Sequence, residues 1–331
     1  MLVPDLLLPQ EIATGVCAGL SLPALERILA RSQPQALPTV TLEDWLCAIF
    51  EVQGQAIAPV TLLADGLQPG TAYWLRADPA HVQMQREQLI LQPDIKVNED
   101  EATKLCAALN AHFAAEGLHF IAPHPQRWYL RLDAAADMVT YPPSQVAGRN
   151  LRAFMPQGMD ALRWHKMFNE VQMLFFEHPV NQARVARGEL PINSVWLWGG
   201  GRTMEKLAQP FSSMVGDSVL AEAFAKVSGI HYTTLPHDAG RYAEGEGALL
   251  IVWDGLQRTL QQGDLHAWRE SLQRFEQVCA KPLWQALRSG RISSLTLDTM
   301  HADQAQRFVL TRNATWKFWR SPKALTHQSL V

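Results

Sequence analysis

The sequence has no excess of charge of either sign. Its 331 residues include 29 Lys and Arg, 32 Asp and Glu and 11 His, so the net charge is −3 at pH 7. Proteins that bind nucleic acids or anionic membranes usually carry a basic surface. The charge balance therefore predicts no nucleic-acid partner and no membrane partner. It does not exclude a phosphorylated small molecule, because a local pair of arginines is enough to bind a phosphate group.

Cysteine is scarce, and its spacing argues against two classes of site. The four cysteines are far apart and form no Cys-x-x-Cys pair: Cys17, Cys47, Cys106 and Cys279. Zinc sites and disulfide-rich folds need closely spaced or numerous cysteines. We therefore expect buried thiols that behave as small apolar side chains, in a protein of the reducing cytoplasm.

Long apolar runs are also absent. Nowhere do about 18 apolar residues follow one another, which is the length that a membrane-spanning helix needs. The first residues, MLVPDLLLPQE, have no basic region, and Pro4, Asp5 and Pro9 interrupt their apolar character. Because a signal peptide has a basic start and an unbroken apolar run, we predict neither a signal peptide nor a transmembrane segment.

The sequence does contain a globular balance of residues, arranged as alternating helix and strand patterns. Hydrophobic residues make up 47% and charged residues 18%, which is enough for a large core and two domains. Strand patterns such as APVTLLADG and GALLIVW alternate with amphipathic helices. This alternation predicts an α/β fold with a mostly parallel, covered sheet and a smaller α+β domain. The predicted segments are residues 1–57, helical and packed on the main domain; 58–140, the α+β domain; and 141–331, the α/β core domain.

The most informative stretch runs from residue 178 to residue 201, HPVNQARVARGELPINSVWLWGGG. It predicts a helix end, a turn at Gly188 and Pro191, a buried central strand over 195–198 and a glycine-rich exit. GALLIVW is expected in the same sheet. Successive glycines let a backbone approach a ligand closely, and sites in α/β sheets lie beyond the carboxyl ends of strands. A core strand followed by a flexible turn is the structural alternative.

The same stretch carries a resemblance to a known family. The pattern is Asn181-x-x-Arg184-x-x-Arg187-Gly188-x-x-Pro191-x-Asn193-x-x-Trp196-x-Trp198-Gly199. It resembles the archaeal-type, cofactor-independent phosphoglycerate mutases, and more closely a bacterial group of their degenerate relatives, some of them described as Rpf-type regulatory proteins. The resemblance extends more weakly from about Thr61 to the C-terminus. It implies that the main sheet is of alkaline-phosphatase-like descent.

Members of that family use two divalent metals and a nucleophilic serine, and this sequence departs from their pattern. The family's opening strand, which ends in Asp-Gly, is expected to be missing, together with the serine behind it. WDGLQR replaces the Asp-x-x-x-His ligand segment, and residues 316–320 replace a later histidine site. The remnants are Asp254, Asp298 and His301, each of which is otherwise a turn-capping or surface residue. We predict no catalytic residue and no cofactor, with a divalent metal such as manganese as the alternative.

A set of arginines fits an anion site better. Arg184 and Arg187 are three residues apart on a predicted helix, so they share a face and can both address one anion. Arg127 matches a basic position before a strand in the family's second domain. The full candidate set is Arg127, Arg184, Arg187, Asn193, Gly199 and Gly200, and the expected ligand is a phosphorylated small acid. The structural alternative pairs the arginines with Glu177, Glu189 or backbone carbonyls.

Three functions follow from these patterns. The leading hypothesis is a catalytically degenerate, mutase-like protein that acts by binding or regulation. The second is an active metal-dependent phosphoglycerate mutase or phosphatase. The third is a protein-interaction module that uses the N-terminal helices and the aromatic–basic segment 316–320, which otherwise packs against the core. Another protein is therefore a candidate partner.

Overall fold

The structure is a computed structural model that describes residues 1–38, 41–92, 95–204, 206–235, 237–240, 247–302 and 304–327. The chain divides into two compact units. The first combines Met1–Phe50 with Ala208–Val331, and we call it the terminal unit. The second is Glu51–Leu207, and we call it the inserted unit.

The helices follow most of the helical patterns in the sequence. In chain order they span Gln10–Val16 (α1), Pro23–Arg31 (α2), Leu42–Ile49 (α3), Ile57–Ala64 (α4), Glu99–His112 (α5), Pro143–Val146 (α6), Ala161–Phe176 (α7), Pro179–Ala186 (α8), Val219–Ser228 (α9), Gly255–Gln261 (α10), Leu265–Phe275 (α11) and Lys281–Ser289 (α12). A π-helical turn, Glu276–Ala280, joins α11 to α12. Short 3₁₀ turns lie at Ala114–Glu116, Leu151–Phe154, Asn313–Trp316 and Leu325–His327.

The strands are short, apart from one long strand in the inserted unit. In chain order they span Gln33–Ala36 (β1), Tyr73–Gln85 (β2), Gln88–Gln92 (β3), His119–His124 (β4), Arg127–Leu132 (β5), Ser194–Gly201 (β6), Ser213–Gly216 (β7), His231–Thr234 (β8), Leu249–Val252 (β9), Ser294–His301 (β10) and Gln304–Thr311 (β11).

Local signals set the ends of several helices as the sequence predicts. Asn98 caps α5 in a capping box, in which its side chain accepts from the amide of Glu101 and the Glu101 carboxylate accepts from the amide of Asn98. The Thr41 hydroxyl accepts from the amide of Asp44 at the start of α3. Gly229 ends α9 with a φ of +76°, in the left-handed region that favours glycine. Each of these helix ends follows from a local sequence pattern.

The sheet of the terminal unit is mixed in direction. Strand β7 pairs in parallel with both β8 and β9, whereas β10, β11 and β1 pair in an antiparallel manner. Leu2 joins the two groups, because it forms parallel bridges to Val252 of β9 and to Asp298 of β10. Helices α1, α2, α11 and α12 cover one face, where Leu297 and Phe308 belong to their buried apolar cluster.

The sheet of the inserted unit is antiparallel. The mostly parallel sheet that the sequence predicts for the core domain is not confirmed, because the sheet of the terminal unit contains antiparallel as well as parallel pairs. Strand β2 pairs antiparallel with β3, β5 and β6, and β4 pairs antiparallel with β5. The 195–198 segment is a buried strand as predicted. Among the described strands it pairs with β2 alone, so it lies at the edge of this sheet and the prediction of a central strand is wrong. The strand from GALLIVW, β9, belongs to the other sheet. The alternation of helix and strand patterns along a sequence predicts which segments are strands. It does not predict whether neighbouring strands are parallel or antiparallel, because that depends on how the strands are connected.

The pairing of β6 with β2 also explains the observed boundaries. The sequence predicted divisions at 57/58 and 140/141, whereas the units change over at 50/51 and at 207/208. Because β6 completes the sheet that begins with β2, residues up to 207 stay with the 58–133 region rather than with the C-terminal core. The N-terminal helix α2 shares a buried cluster with α11 and α12.

The segment APVTLLADG forms helix α4 and not the predicted strand. Its residues Ile57, Ala58, Val60 and Leu62 are all buried. A short run that is apolar on every side is equally compatible with a buried strand and a buried helix. The unit supplies the deciding contacts, since Ala58 and Leu62 pack on Trp74 and Tyr129 of the neighbouring sheet.

Two negative expectations can be compared with the structure. All four cysteines are free and buried, and burial raises the pKa of Cys47, Cys106 and Cys279 to about 12. They are therefore unreactive apolar groups, as predicted. Within the described ranges, no helix combines the length and the apolar character that crossing a membrane requires.

Candidate functional site

Arg184 and Arg187 do lie side by side, but they converge on a carboxylate of the protein itself. Nη1 of Arg184 is 2.7 Å from Oε2 of Glu101, and Nη2 of Arg187 is 2.8 Å from Oε1 of the same residue. The side chains of Arg184 and Glu101 are 3% and 7% exposed. The spacing thus predicted correctly that the two arginines share a partner. That partner is Glu101 of α5 and not an anion from solution.

Other hydrogen-bond donors of the two arginines are also used internally. Arg184 donates to the carbonyls of Leu190 and Lys96 at 2.8 and 3.0 Å. Arg187 donates to both oxygens of Glu189, at 3.0 and 2.8 Å, and these hydrogen bonds lower the pKa of Glu189. The alternative with Glu189 and backbone carbonyls as partners therefore describes this pair, and the predicted anion site at Arg184 and Arg187 is corrected.

Arg127 is likewise engaged in an ion pair. Its Nη2 is 2.6 Å from Oδ1 of Asp65, and its Nε lies 3.1 Å from both carboxylate oxygens. The hydroxyl of Tyr129 donates to Oδ2 of Asp65 at 2.7 Å. Burial alone would raise the pKa of Asp65, but the hydrogen bonds from Arg127 and Tyr129 outweigh it and hold the pKa below its ordinary value. Arg127 thus joins β5 to the end of α4 and does not share a site with Arg184.

Asn193 and the glycines serve packing within the inserted unit. The side chain of Asn193 accepts from the amide of Val82 at 2.7 Å and donates to its carbonyl at 2.8 Å. A Cβ at Gly200 would lie 2.5 Å from the hydroxyl of Tyr73, and a Cβ at Gly201 would lie 2.2 Å from the Cβ of Ala56. At Gly199, φ is +64° and an added Cβ would meet Ile57 at 3.0 Å. The close approach that the glycines permit is to protein and not to a ligand.

Other residues of the 181–199 motif hold the unit together in the same way. Asn181 accepts from the amide of Ile192 at 2.8 Å and donates to its carbonyl at 2.7 Å. The indole of Trp196 donates to the carbonyl of Tyr141 at 2.8 Å, and that of Trp198 donates to the carboxylate of Asp78 at 2.8 Å. The motif therefore has a structural role in this chain, which explains why it indicates a fold more strongly than an activity.

In the terminal unit, the start of the chain lies between β9 and β10. It forms single bridges rather than a regular strand and contains no Asp-Gly pair, so the absence of the family's opening strand stays a prediction. The amides of Leu2, Val3 and Asp5 donate to the carbonyls of Ile251, Asp298 and Met300 at 2.8 to 2.9 Å. The segment ends at Asp5, whose carboxylate accepts from Nδ1 of His301 at 2.6 Å. Pro4 and Asp5 interrupt the apolar pattern of this segment, so the sequence alone does not predict that it lies along the sheet.

Asp298 is the most tightly held of the three predicted metal-site remnants. Arg307 binds both of its oxygens, with Nε 2.8 Å from Oδ1 and Nη2 2.6 Å from Oδ2. The indole of Trp45 donates to Oδ2 at 2.7 Å. The Asp298 side chain is 2% exposed. Its carboxylate is thus neutralised by a fixed guanidinium group.

The three remnants do not form one ligand set. Asp298 and His301 are three residues apart in β10, and side chains alternate between the faces of a strand, so they point to opposite sides of the sheet. Asp254 precedes α10, and its amide donates to Oδ1 of Asp217 at 2.7 Å. In the part of the chain that the structure describes, no group of three or more His, Cys, Asp and Glu side chains is placed to hold a metal ion.

Asp254 nevertheless stands in an unusual electrostatic environment. Its pKa is raised from 3.8 to about 7, first by burial and then by the charge of Asp217, while Arg258 opposes the shift. A carboxyl group with such a pKa carries its proton for much of the time at neutral pH. The ion pair of Asp298 with Arg307 and the separation of the three remnants are the observations that do not fit a two-metal site.

Sequence reasoning missed the two residues that decide these sites, Glu101 and Arg307. Glu101 is one of three acids in the first turn of α5, a pattern that by itself indicates only a helix start. Arg307 lies directly opposite Asp298 in the register of the β10–β11 hairpin, and counting outward from the turn between these strands would have found it. No comparable local signal places Glu101 against Arg184.

Partial sequence relatives support the resemblance to the mutases, although no protein-family model matches the chain. A 2,3-bisphosphoglycerate-independent phosphoglycerate mutase of Methanosarcina mazei is 29% identical over 110 residues, which is 32% of this chain and 27% of that protein. Its counterpart in Methanosarcina acetivorans is 25% identical over 154 residues, 44% of this chain and 38% of that protein. The counterpart in Methanothrix thermoacetophila is 37% identical over 70 residues, 21% and 18% of the two chains. The matches therefore span less than half of these relatives' own length.

Two solved structures resemble the chain over most of its length. The cofactor-independent phosphoglycerate mutase of Thermoplasma acidophilum is 13% identical with a TM-score of 0.47, and the match covers 100% of this chain and 95% of that one. The PH0037 protein of Pyrococcus horikoshii is 11% identical with a TM-score of 0.49, and the match covers 94% and 86%. The closer resemblance to Rpf-type proteins stays a prediction.

Proposed function

We propose that this protein is a phosphoglycerate-mutase-like protein that has lost metal-dependent phosphoryl transfer and acts by binding, in a regulatory role. The observation that carries the proposal is the ion pair of Asp298 with Arg307, at 2.6 and 2.8 Å. Both oxygens of this carboxylate, which lies within β10, accept hydrogen bonds from the protein: Oδ1 from Arg307, and Oδ2 from Arg307 and Trp45. A metal ion could be bound by both oxygens only if it displaced the guanidinium group.

The chemistry of the guanidinium group supports the loss of activity. Metal-dependent phosphoryl transfer needs a cation with open coordination positions, which activates a nucleophile and stabilises the leaving oxygen. A guanidinium group supplies positive charge and hydrogen bonds but has no coordination position to offer. Arg307 can therefore keep Asp298 neutralised within the fold without supporting the reaction named for the sequence relatives.

The pairing of Asp5 with His301 supports the same proposal. Nδ1 of His301 lies 2.6 Å from Oδ1 of Asp5, so two further groups of metal-binding type bind each other. The side chains of Asp5 and His301 therefore satisfy each other within the protein. The candidate partners of a binding protein of this kind are a phosphorylated small acid or another protein, and we propose a cytoplasmic location.

An activity assay tests the proposal directly. The purified protein is incubated with 3-phosphoglycerate and manganese, and the appearance of 2-phosphoglycerate is followed by phosphorus NMR beside an active mutase as the positive control. We expect no conversion above the protein-free background. Manganese-dependent conversion that disappears in the His301→Ala variant would overturn the proposal and favour an active mutase.

A further inference from the structure

A cavity of about 500 Å³ lies in the terminal unit between helices α2 and α12. Its wall includes Arg27 of α2, Lys281, Trp284 and Arg288 of α12, and Trp316. Pockets that hold small molecules usually have volumes of roughly 300–1,000 Å³ and combine an apolar wall with a few polar groups. We call this space the α2–α12 cavity.

Helix geometry explains why these side chains gather here. Lys281, Trp284 and Arg288 are at positions i, i+3 and i+7 of α12, so they share one face of the helix. Helix α2 is fixed beside it by Glu276, whose two carboxylate oxygens accept from the amides of Ala24 and Leu25 at 2.8 and 2.9 Å. Glu276 is 1% exposed, and its charge is used at this helix start.

The basic groups of the cavity wall have no carboxylate partner, unlike the arginines of the inserted unit. Among the described residues, Arg27, Lys281 and Arg288 form no ion pair. Glu276 also lines the cavity, and the charge of Arg27 acts on Glu26, where it opposes the rise in pKa that burial causes. Arg27 is therefore partly neutralised, whereas Lys281 and Arg288 bring positive charge to the cavity without an ion-pair partner among the described residues.

Arg31 adds to this concentration of charge. Its guanidinium carbon lies 5.3 Å from the centre of the Trp284 ring, one of its Nη groups donates to the carbonyl of Thr315, and its buried Nε has no hydrogen-bond partner. Burial lowers the pKa of Arg31, and the neighbouring charges of Arg27 and Arg288 lower it further. A bound anion would relieve this repulsion.

Two indole rings give the cavity an apolar side. Trp284 is 4% exposed and forms part of the buried core, whereas Trp316 is 64% exposed. Arg288 lies over the Trp316 ring, with its guanidinium carbon 5.8 Å from the ring centre. A large aromatic side chain that stays exposed beside unpaired cations is suited to covering a flat apolar group.

We propose that the α2–α12 cavity binds a small organic anion that combines a carboxylate or phosphate group with a flat apolar body. The anionic group contacts Arg27, Lys281 and Arg288, and the apolar body packs on Trp284 and Trp316. This assignment does not depend on the loss of metal chemistry at Asp298, because none of its residues takes part in that site. It places the anion site of the chain in the terminal unit and not at Arg184 and Arg187.

Binding of simple probes tests the assignment. Phenyl phosphate and benzoate represent the two anionic groups on a flat body, inorganic phosphate lacks the body, and phenol lacks the charge. Titrations are followed by the indole N–H signals in two-dimensional NMR, with the Trp316 signal identified from its absence in Trp316→Phe. We expect saturable shifts of that signal with phenyl phosphate or benzoate, weaker binding of inorganic phosphate and no saturable binding of phenol. The choice between the two aromatic anions identifies the anionic group.

Charge variants provide the control. Arg288→Gln and Lys281→Gln should each raise the dissociation constant of the better probe about tenfold, since each removes one charge-assisted contact. Lys104→Gln makes the same change of charge at an exposed position in the inserted unit and should leave the constant unchanged. Circular dichroism verifies that each variant is folded. The proposal would be overturned if all three variants had equal effects, if phenol bound with equal affinity, or if neither aromatic anion caused a saturable shift. Displacement of the probe only by acidic peptides would also overturn it and would assign the cavity to a protein partner.

Discussion

The carboxylate of Glu101 binds the guanidinium group of Arg184 at 2.7 Å, across 83 residues of sequence, and both side chains are almost completely buried. Glu101 also binds Arg187 and completes the cap of α5. One carboxylate therefore connects the start of α5 to the end of α8. This relationship turns a predicted anion-binding pair into an internal ion-pair network, and it sets the first prediction.

Glu101→Gln should lower the free energy of unfolding by about 3–5 kcal/mol, because removing one partner leaves the buried Arg184 charge uncompensated. Glu189→Gln is the matched control, since Glu189 pairs with Arg187 at the surface and is 44% exposed. An exposed pair is worth about 1 kcal/mol or less. Urea unfolding curves of the two variants measure the difference. Equal losses of unfolding free energy in the two variants would show that the buried ion pair stabilises the protein no more than the exposed pair does.

Arg307→Gln should destabilise the terminal unit more than Trp45→Phe does. The first change removes a bidentate ion pair from a carboxylate that is 2% exposed, at a cost of about 3 kcal/mol or more. The second removes one hydrogen bond to the same carboxylate, at a cost of about 1–3 kcal/mol. Thermal and denaturant unfolding of both variants give the order. The reverse order would show that the indole and not the guanidinium group satisfies Asp298.

Gly201→Ala should destabilise the inserted unit by about 1–3 kcal/mol, because the new methyl group overpacks a close contact. An added Cβ would lie 2.2 Å from the Cβ of Ala56 and 2.7 Å from its Cα. Gly15→Ala is the control: it lies in α1 with nothing within 4 Å, and alanine is favoured over glycine inside a helix by up to about 1 kcal/mol. The two substitutions should therefore change the melting temperature in opposite directions. A tolerated Gly201→Ala would point to a looser contact between β6 and the segment before α4.

Asp254→Asn should stabilise the protein in a pH-dependent manner. The pKa of Asp254 is raised from 3.8 to about 7, chiefly by burial. Below about pH 4 the carboxyl group is protonated in the folded and the unfolded states, so it has no effect on stability. Between about pH 4 and pH 7 the unfolded chain releases this proton while the folded protein retains it, so the stability of the native sequence falls as pH rises.

The asparagine variant removes this loss. Its gain over the native sequence should be near zero at pH 4 and reach about 1–2 kcal/mol at pH 8, because the side chain is partly exposed and solvent screens part of the effect. Denaturant titrations at the two pH values measure the gain. A gain that is the same at both values would exclude a raised pKa as its cause.

The sequence by itself determined the features that depend on neighbouring residues. The cap at Asn98, the start of α3 at Thr41 and the end of α9 at Gly229 follow from hydrogen bonds and backbone preferences within a few residues. The buried strand over 195–198 follows from an apolar run between turn residues. The spacing of Arg184 and Arg187 also predicted correctly that the two side chains share a partner. Each of these interactions is complete within about one helical turn or one strand of the chain.

Only the tertiary structure decided which groups meet. Arg184 meets Glu101 over 83 residues, and Asp5 meets His301 over 296 residues. No local pattern encodes such a contact, because it depends on how the strands are ordered and in which direction each one runs. The antiparallel pairing of β6 with β2 brings the glycines to Ala56 and Ile57, and the position of Leu2 between β9 and β10 brings Asp5 to the strand ends. A charged side chain that becomes buried needs a partner of opposite charge. Tertiary packing decides whether that partner is a ligand or a residue of the same chain.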